Sequence, residues 1–143
     1  MSVRSDFSPK SKYYLPKHRF LELYHYCLQY KDWKAALRSL DGMRGMNYDF
    51  VQSRGSGYND PVFYLALKRL DLEKKIQGVE ETALDTDEDI ARFILSGVTD
   101  ENATFDNLSL LHDLPYSRNT YYDRRRKFYS LLDQRLTASA LYS

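Results

Sequence analysis

A proline fixes the layout of the C-terminal third of this chain. Leu114-Pro115 interrupts the helical pattern of Thr104 to Leu136, TFDNLSLLHDLPYSRNTYYDRRRKFYSLLDQRL, because proline removes a backbone donor and disfavours helix at the residue before it. Ahead of the break, Leu108 and Leu111 stand three apart on a short helix. After it, Ser117 stands where an N-cap belongs, and no Gly or Pro follows from Arg118 to Leu136. A short helix, a tight turn and a long basic helix form the pattern of a helix-turn-helix, whose second helix can lie in a DNA major groove.

On a wheel of 100° per residue, Tyr121, Phe128, Leu132 and, at the edge, Leu131 share the face expected to be buried. Arg118, Asn119, Tyr122, Arg126 and Tyr129 are expected roughly opposite, with Arg125 on the flank. Arginine forks match guanine edges and phosphates, asparagine matches adenine edges, and tyrosine hydroxyls reach phosphates. The expected DNA-binding set is therefore Ser117, Arg118, Asn119, Tyr122, Arg125, Arg126 and Tyr129, on the helix 117–136. The competing reading is a solvated face on a purely structural helix.

Charge is distributed unevenly behind a net value of only +1. From Asp71 to Asp106 there are eleven acidic residues against three basic, whereas His112 to Leu136 holds six basic and three acidic, and Met1 to Phe20 five basic and one acidic. Basic ends around an acidic middle favour a localised patch and salt-sensitive binding over general polyanion affinity.

The preceding segments read as helices joined by short punctuation, with no strand alternation. Residues 1–14 read as a flexible basic arm, whose Lys10 and Lys12, with Lys17 and Arg19 beyond, could follow a DNA backbone. Residues 15–42 read as a helical hairpin. Pro16 opens the first helix, Phe20, Leu23, Tyr24, Cys27 and Leu28 form its stripe, Asp32 caps the second, Trp33 anchors it, and Asp41-Gly42 ends it. Residues 43–59 read as a loop containing Arg44 and Arg54. Residues 60–143 read as a helical domain with the helix-turn-helix at 104–136.

In that domain Asp60-Pro61 starts a long helix expected to reach about Ala83, with Gly78 weakening its last turns. Phe63, Leu67, Leu70, Lys74 and Glu81 trace one side of it, and Leu65, Leu72, Ile76 and Val79 another. So many apolar positions call for a partner helix from this chain or a second copy. Thr86 or Asp87 opens the next helix, Ile90, Phe93, Ile94 and Val98 form its stripe, and Gly97 ends it; Thr104 caps the one after. The expectation is an all-α fold of about six helices with a C-terminal helix-turn-helix.

Several chemistries lack their residues. The glycines at 42, 45, 55 and 57 precede no Lys-Ser/Thr, so they form no phosphate-binding loop. Asp85, Asp87, Glu88 and Asp89 lack the glycine and final glutamate of a calcium loop and fit helix-start chemistry instead. His18 and His25 are too widely spaced for a metal site, and Cys27, the only cysteine, fits an inert core thiol in a reducing cytoplasm. No cofactor, no metal and no enzyme activity are expected. There is no apolar run of membrane-spanning length and no signal-peptide core at the N-terminus.

Residues along most of the chain carry a resemblance: Tyr13-Tyr14-Leu15-Pro16-Lys17-His18-Arg19-Phe20, Cys27-Leu28-Gln29-Tyr30, the Arg69-Leu70 to Glu80 helix and Ile94 to Thr99. Above all there is Leu114-Pro115-Tyr116-Ser117-Arg118-Asn119-Thr120-Tyr121-Tyr122 with Arg124-Arg125-Arg126-Lys127-Phe128. In these the chain resembles the RinA/ArpU-type phage and prophage late-transcription regulators, whose C-terminal helix-turn-helix is related to region four of bacterial sigma factors. The resemblance implies a sequence-specific regulator of late phage genes in the bacterial cytoplasm, with its turn at Asp113 to Tyr116 and its reading helix from Ser117. Double-stranded DNA is then the expected partner, with host RNA polymerase and a homodimeric state beside it. The alternatives are a small-terminase-like packaging protein that binds DNA, and a protein-binding inhibitor module that uses the acidic segment 71–106.

Overall fold

A computed structural model describes residues 11–42, 60–112 and 114–142. The 43–59 loop and most of the N-terminal arm lie outside them. The described residues are all-α, with no strand. The helices are α1 (Lys17–Leu28), α2 (Tyr30–Gly42), α3 (Pro61–Thr86), α4 (Ala91–Val98), α5 (Phe105–His112) and α6 (Arg118–Tyr142), with a 3-10 turn at Glu88–Ile90 before α4. None is long and apolar enough to cross a membrane.

The helix starts follow the capping chemistry of the sequence. The Asp60 carboxylate accepts from the Val62 N–H (2.9 Å), with Pro61 as the first helical residue. Asp87 accepts from the Asp89 N–H (3.1 Å), Thr104 Oγ1 from the Asn107 N–H (3.2 Å), and Ser117 Oγ from the Thr120 N–H (3.1 Å). Each satisfies a backbone donor that the first helical turn leaves open. Two starts differ from expectation. Pro16 sits one position earlier, as the N-cap of α1 (φ −57°, ψ 144°). Asp32 lies inside the first turn of α2, because only Gln29 separates α1 from α2 and it keeps a helical conformation (φ −82°, ψ −7°).

Helix α3 continues through Gly78 to Thr86. Its buried threonines remain compatible with the helix because each hydroxyl donates back one turn, Thr82 to the Gly78 carbonyl (2.6 Å) and Thr86 to the Thr82 carbonyl (2.7 Å). Of the two sides read along α3, Leu72, Ile76 and Val79 are buried and Leu65 is half-buried, while Phe63, Leu67 and Leu70 are exposed; Ala83 is buried as well.

The chain forms two compact units, Met1–Gln29 with Gly78–Ser143, and Tyr30–Gln77. In the second unit Tyr30, Trp33, Leu72 and Ile76 are buried. There the Arg69 guanidinium pairs with Asp41, and the Lys75 ammonium lies 5.8 Å from the Trp33 ring centre. The first unit is built on α6, which packs against α1 and α4; α4 also packs against α1 and α5. Its core takes Phe20, Leu23, Tyr24 and Cys27 from α1, Val79 and Ala83 from α3, Phe93, Ile94 and Val98 from α4, Leu108 from α5, and Tyr121, Phe128, Tyr129 and Leu132 from α6.

Gly97 falls inside α4, one residue before its end, and it is buried. A methyl group there would overlap the Tyr121 hydroxyl and lie 3.1 Å from the ring carbon that carries it. The absence of a side chain at 97 is therefore what lets α4 close on α6. The sequence offers Gly97 as a helix end; its role is the close approach.

Gly97→Ala is expected to destabilise the protein by about 1–3 kcal/mol in urea unfolding, because the Tyr121 ring is enclosed and cannot swing away. Adding Tyr121→Phe, which removes the overlapping oxygen, should restore part of the loss. An unchanged midpoint in the single variant would mean that α4 and α6 do not meet this closely.

Candidate nucleic-acid interface

The helix-turn-helix segment is present as two helices and a pinned turn. Helix α5 ends at His112, residues 114–117 are non-helical, and α6 starts at Arg118. Asp113 lies outside the described residues. The turn is held from the outside: the Tyr116 hydroxyl donates to the Asp89 carbonyl (3.4 Å), and its ring meets Phe93 edge-on at 6.4 Å. Helix α5 is tied to the first turns of α6. The Phe105 N–H donates to the Tyr122 hydroxyl (3.4 Å), the Phe105 and Tyr121 rings lie 5.9 Å apart, and Arg118 pairs with Asp106 (2.6 Å) while lying over Phe105.

These contacts divide the seven expected DNA-binding residues into three groups. Ser117, Arg118 and Asn119 are exposed at the start of α6, and Arg126 is half-buried two turns further on, without an ion pair among the described residues. Tyr122 is half-buried and its hydroxyl already accepts from α5. Arg125 and Tyr129 face inward.

Tyr129 is a correction. It is 1% exposed, not on an outward face. Phe20 of α1 meets its ring edge-on at 5.1 Å, and Phe128 lies 5.3 Å away. The reason is the width of the buried arc. Measured from Tyr121 on the wheel, Tyr129 lies only about 80° away and Arg125 about 40°. A helix packed on one side would leave Tyr129 at the rim, but α6 is covered by α1 as well as α4, so the buried arc spans both neighbours.

Arg125 goes with Tyr129. It is half-buried, with its guanidinium carbon 6.0 Å from the centre of the Tyr129 ring. The hydroxyls of Tyr121 and Tyr129 are both buried beside this cation, and among the described residues neither makes a hydrogen bond of ordinary geometry. Burial pushes both phenols well above their usual range, and it raises the Cys27 thiol likewise. Cys27 is fully enclosed, which keeps the reactive thiolate out of reach.

The remaining arginines of α6 are met by the acidic middle of the chain. Arg124 pairs with Asp87 (3.0 Å) and with its neighbour Asp123 (2.8 Å), and Arg135 with Glu81 and Asp85 (3.0 Å each). On α1, Arg19, a candidate backbone contact, pairs with Asp133 (2.6 Å). Arg124 and Arg135 are thus held in partly exposed ion pairs whose partners could not be read from local sequence. Lys17 is exposed at the start of α1, and Lys12 is exposed as well.

Asn119 and Arg126 lie about 20° apart on the wheel and opposite the core. Asp123 lies on the same face, turned to Arg124. Arg118 lies on the flank of this face, about 80° from Arg126, and is reachable because its ion pair is open to solvent, with the arginine side chain 55% and the aspartate 69% exposed. Such a pair contributes only about 0–1 kcal/mol, so a phosphate can replace Asp106 at little cost. The exposed candidate surface is Ser117, Arg118, Asn119 and Arg126. Among the described residues no group of three His, Cys, Asp or Glu side chains is placed to hold a metal ion.

Stability measurements separate the two neighbouring arginines. Arg125→Ala should cost about 1–3 kcal/mol in denaturant unfolding, through lost packing against buried tyrosines. Arg126→Ala should stay within about 0.5 kcal/mol of the parent. The reverse order would turn the wheel and place Arg126 inside. No family model, curated protein or solved structure matches this chain, so its functional reading rests on these residues.

Proposed function

We propose that this chain is a sequence-specific DNA-binding transcription regulator of the phage and prophage late-gene kind, a binding protein and not an enzyme. The observation that carries the reading is the exposed start of α6. Ser117 caps a helix that follows a pinned proline turn, Arg118 and Asn119 are exposed in its first turn, and Arg126 lies on the Asn119 face two turns on. A recognition helix reads bases with its N-terminal residues, which is where these side chains stand. Asn119 suits an adenine edge and Arg126 a guanine edge, with Arg118 on a phosphate; the Ser117 hydroxyl, which accepts from the Thr120 N–H and donates to Thr120 Oγ1 (2.9 Å), serves as the cap.

In this reading Tyr122 positions α5 and Arg125 and Tyr129 hold the core; they take no direct part in base contact. The protein works in the bacterial cytoplasm as a homodimer on two half-sites, with host RNA polymerase as the further partner a transcription role requires. An inhibitor that uses segment 71–106 is less well supported. Glu81, Asp85, Asp87 and Asp106 from that segment are already engaged by arginines of α6.

Gel-shift titration on promoter-proximal DNA of the source genome, against scrambled DNA of equal length, tests the proposal. Native DNA should be retained at salt that releases the scrambled DNA. Arg126→Ala should weaken specific binding by roughly 1–3 kcal/mol if it reads a base. Asp106→Asn should strengthen binding to both DNAs by about twofold, since it frees Arg118 and removes a charge that repels phosphate. Equal affinity for the two DNAs, or no binding at low salt, would overturn the reading.

A further inference from the structure

The outward face of α6 carries a carboxylate between its two base-reading candidates. Counted at 100° per residue, Asn119, Asp123 and Arg126 lie about 140–160° from the buried Tyr121, with Asp123 about 40° from Asn119 and about 60° from Arg126. Intervals of four and three residues set them in succession along the helix, about 6 Å and about 4.5 Å apart on its axis. The Asp123 side chain is 41% exposed. An acidic group at this place opposes phosphate, so it lowers affinity for DNA in general.

Asp123 is also free to change partner. Among the described residues its ion pair is with the neighbouring Arg124 (2.8 Å), and that guanidinium has a second carboxylate, Asp87, on its Nε (3.0 Å). When Asp123 turns outward, Arg124 keeps Asp87 and no cation is left unpaired. A partly exposed pair of this kind contributes little, so its loss costs little. Asp106 differs in place: it sits on α5 and meets Arg118, on the flank of the face.

We infer that Asp123 is a specificity-determining residue of this interface and accepts a hydrogen bond from the N4 amino group of a cytosine in the major groove; the inference rests on the DNA-binding reading above. Cytosine presents an amino donor there. Guanine presents the acceptors O6 and N7, thymine the acceptor O4, and adenine sets its N7 acceptor beside its amino group. A carboxylate therefore gains a partner at cytosine and meets lone pairs at the other bases. Because the same charge opposes phosphate, DNA without a cytosine at that position is actively rejected. Asn119, Asp123 and Arg126 then form one reading line, with an amide, an acceptor and a donor in order.

Selection from a random-sequence duplex pool tests it, with the full-length parent and Asp123→Ala run side by side. Gel-shift titration of the parent's selected duplex and a scrambled duplex follows. The parent should select a cytosine at one position where Asp123→Ala shows no preference. Asp123→Ala should bind the scrambled duplex about threefold more tightly, and its preference for the selected duplex should fall by about 10-fold or more. Asp106→Asn is the control: it should tighten both duplexes alike and leave the selected sequence unchanged. Far-UV circular dichroism and the thermal midpoint of Asp123→Ala should match the parent, since Arg124 retains Asp87. The inference is overturned if Asp123→Ala selects the parent's sequence, or tightens both duplexes by the same factor, because Asp123 then acts only as a general repelling charge. That outcome leaves the DNA-binding reading standing; a parent that selects no sequence overturns both.

Discussion

Helix α6 is the constraint on which the first unit depends. Each neighbouring element is attached to it by a different contact. Helix α1 brings Phe20 against Tyr129 and Arg19 to Asp133; α3 presents Glu81 and Asp85 to Arg135; the 3-10 turn presents Asp87 to Arg124. Helix α4 closes on Tyr121 through Gly97, and α5 is joined through Phe105 and Asp106. A helix engaged on so many sides has only a narrow free face. That narrowness turns a long basic segment into a small set of residues able to meet a ligand.

The same attachment explains the charge pattern. An acidic middle and basic ends nearly cancel across the chain, and the cancellation is partly local in space: Arg118, Arg124 and Arg135 each have a carboxylate within 3.0 Å. Most of these pairs are partly exposed, so each contributes little stability, about 0–1 kcal/mol. Their larger effect is on the surface potential. They offset positive charge at Arg118, Arg124 and Arg135, while Arg126 and Lys127 have no ion pair among the described residues. Under the DNA-binding proposal, binding then rests on few phosphate contacts, and base readout by Asn119 and Arg126 carries a larger share of specificity.

The second unit has a different balance. It buries Tyr30, Trp33, Leu72 and Ile76, yet leaves the Phe63–Leu67–Leu70 side of α3 in solvent. One helix therefore has two environments along its length, a buried stretch with back-bonded threonines at its C-terminal end and exposed apolar side chains at its N-terminal end.

Local chemistry determined a large part of this protein. The caps at Asp60, Asp87, Thr104 and Ser117, the break at Pro115, the all-α class and the buried Tyr121, Phe128 and Leu132 all follow from propensity and periodicity, which act within one or two helical turns. The two-sided character of α3 was legible for the same reason. Only the tertiary structure decided which side of each helix was covered, and by how many neighbours. The wheel puts Arg125 and Tyr129 within about 80° of Tyr121, at the border of the buried face; their polar groups made them read as ligand contacts, and it is Phe20 of α1 that encloses Tyr129. Nor does a count of charges say which arginine meets which carboxylate, since Arg124 and Asp87, or Arg135 and Glu81, are far apart in sequence. Gly97 shows the difference most plainly. Its sequence context marks a helix end, and only the approach of Tyr121 from α6 makes the missing side chain a requirement of the fold.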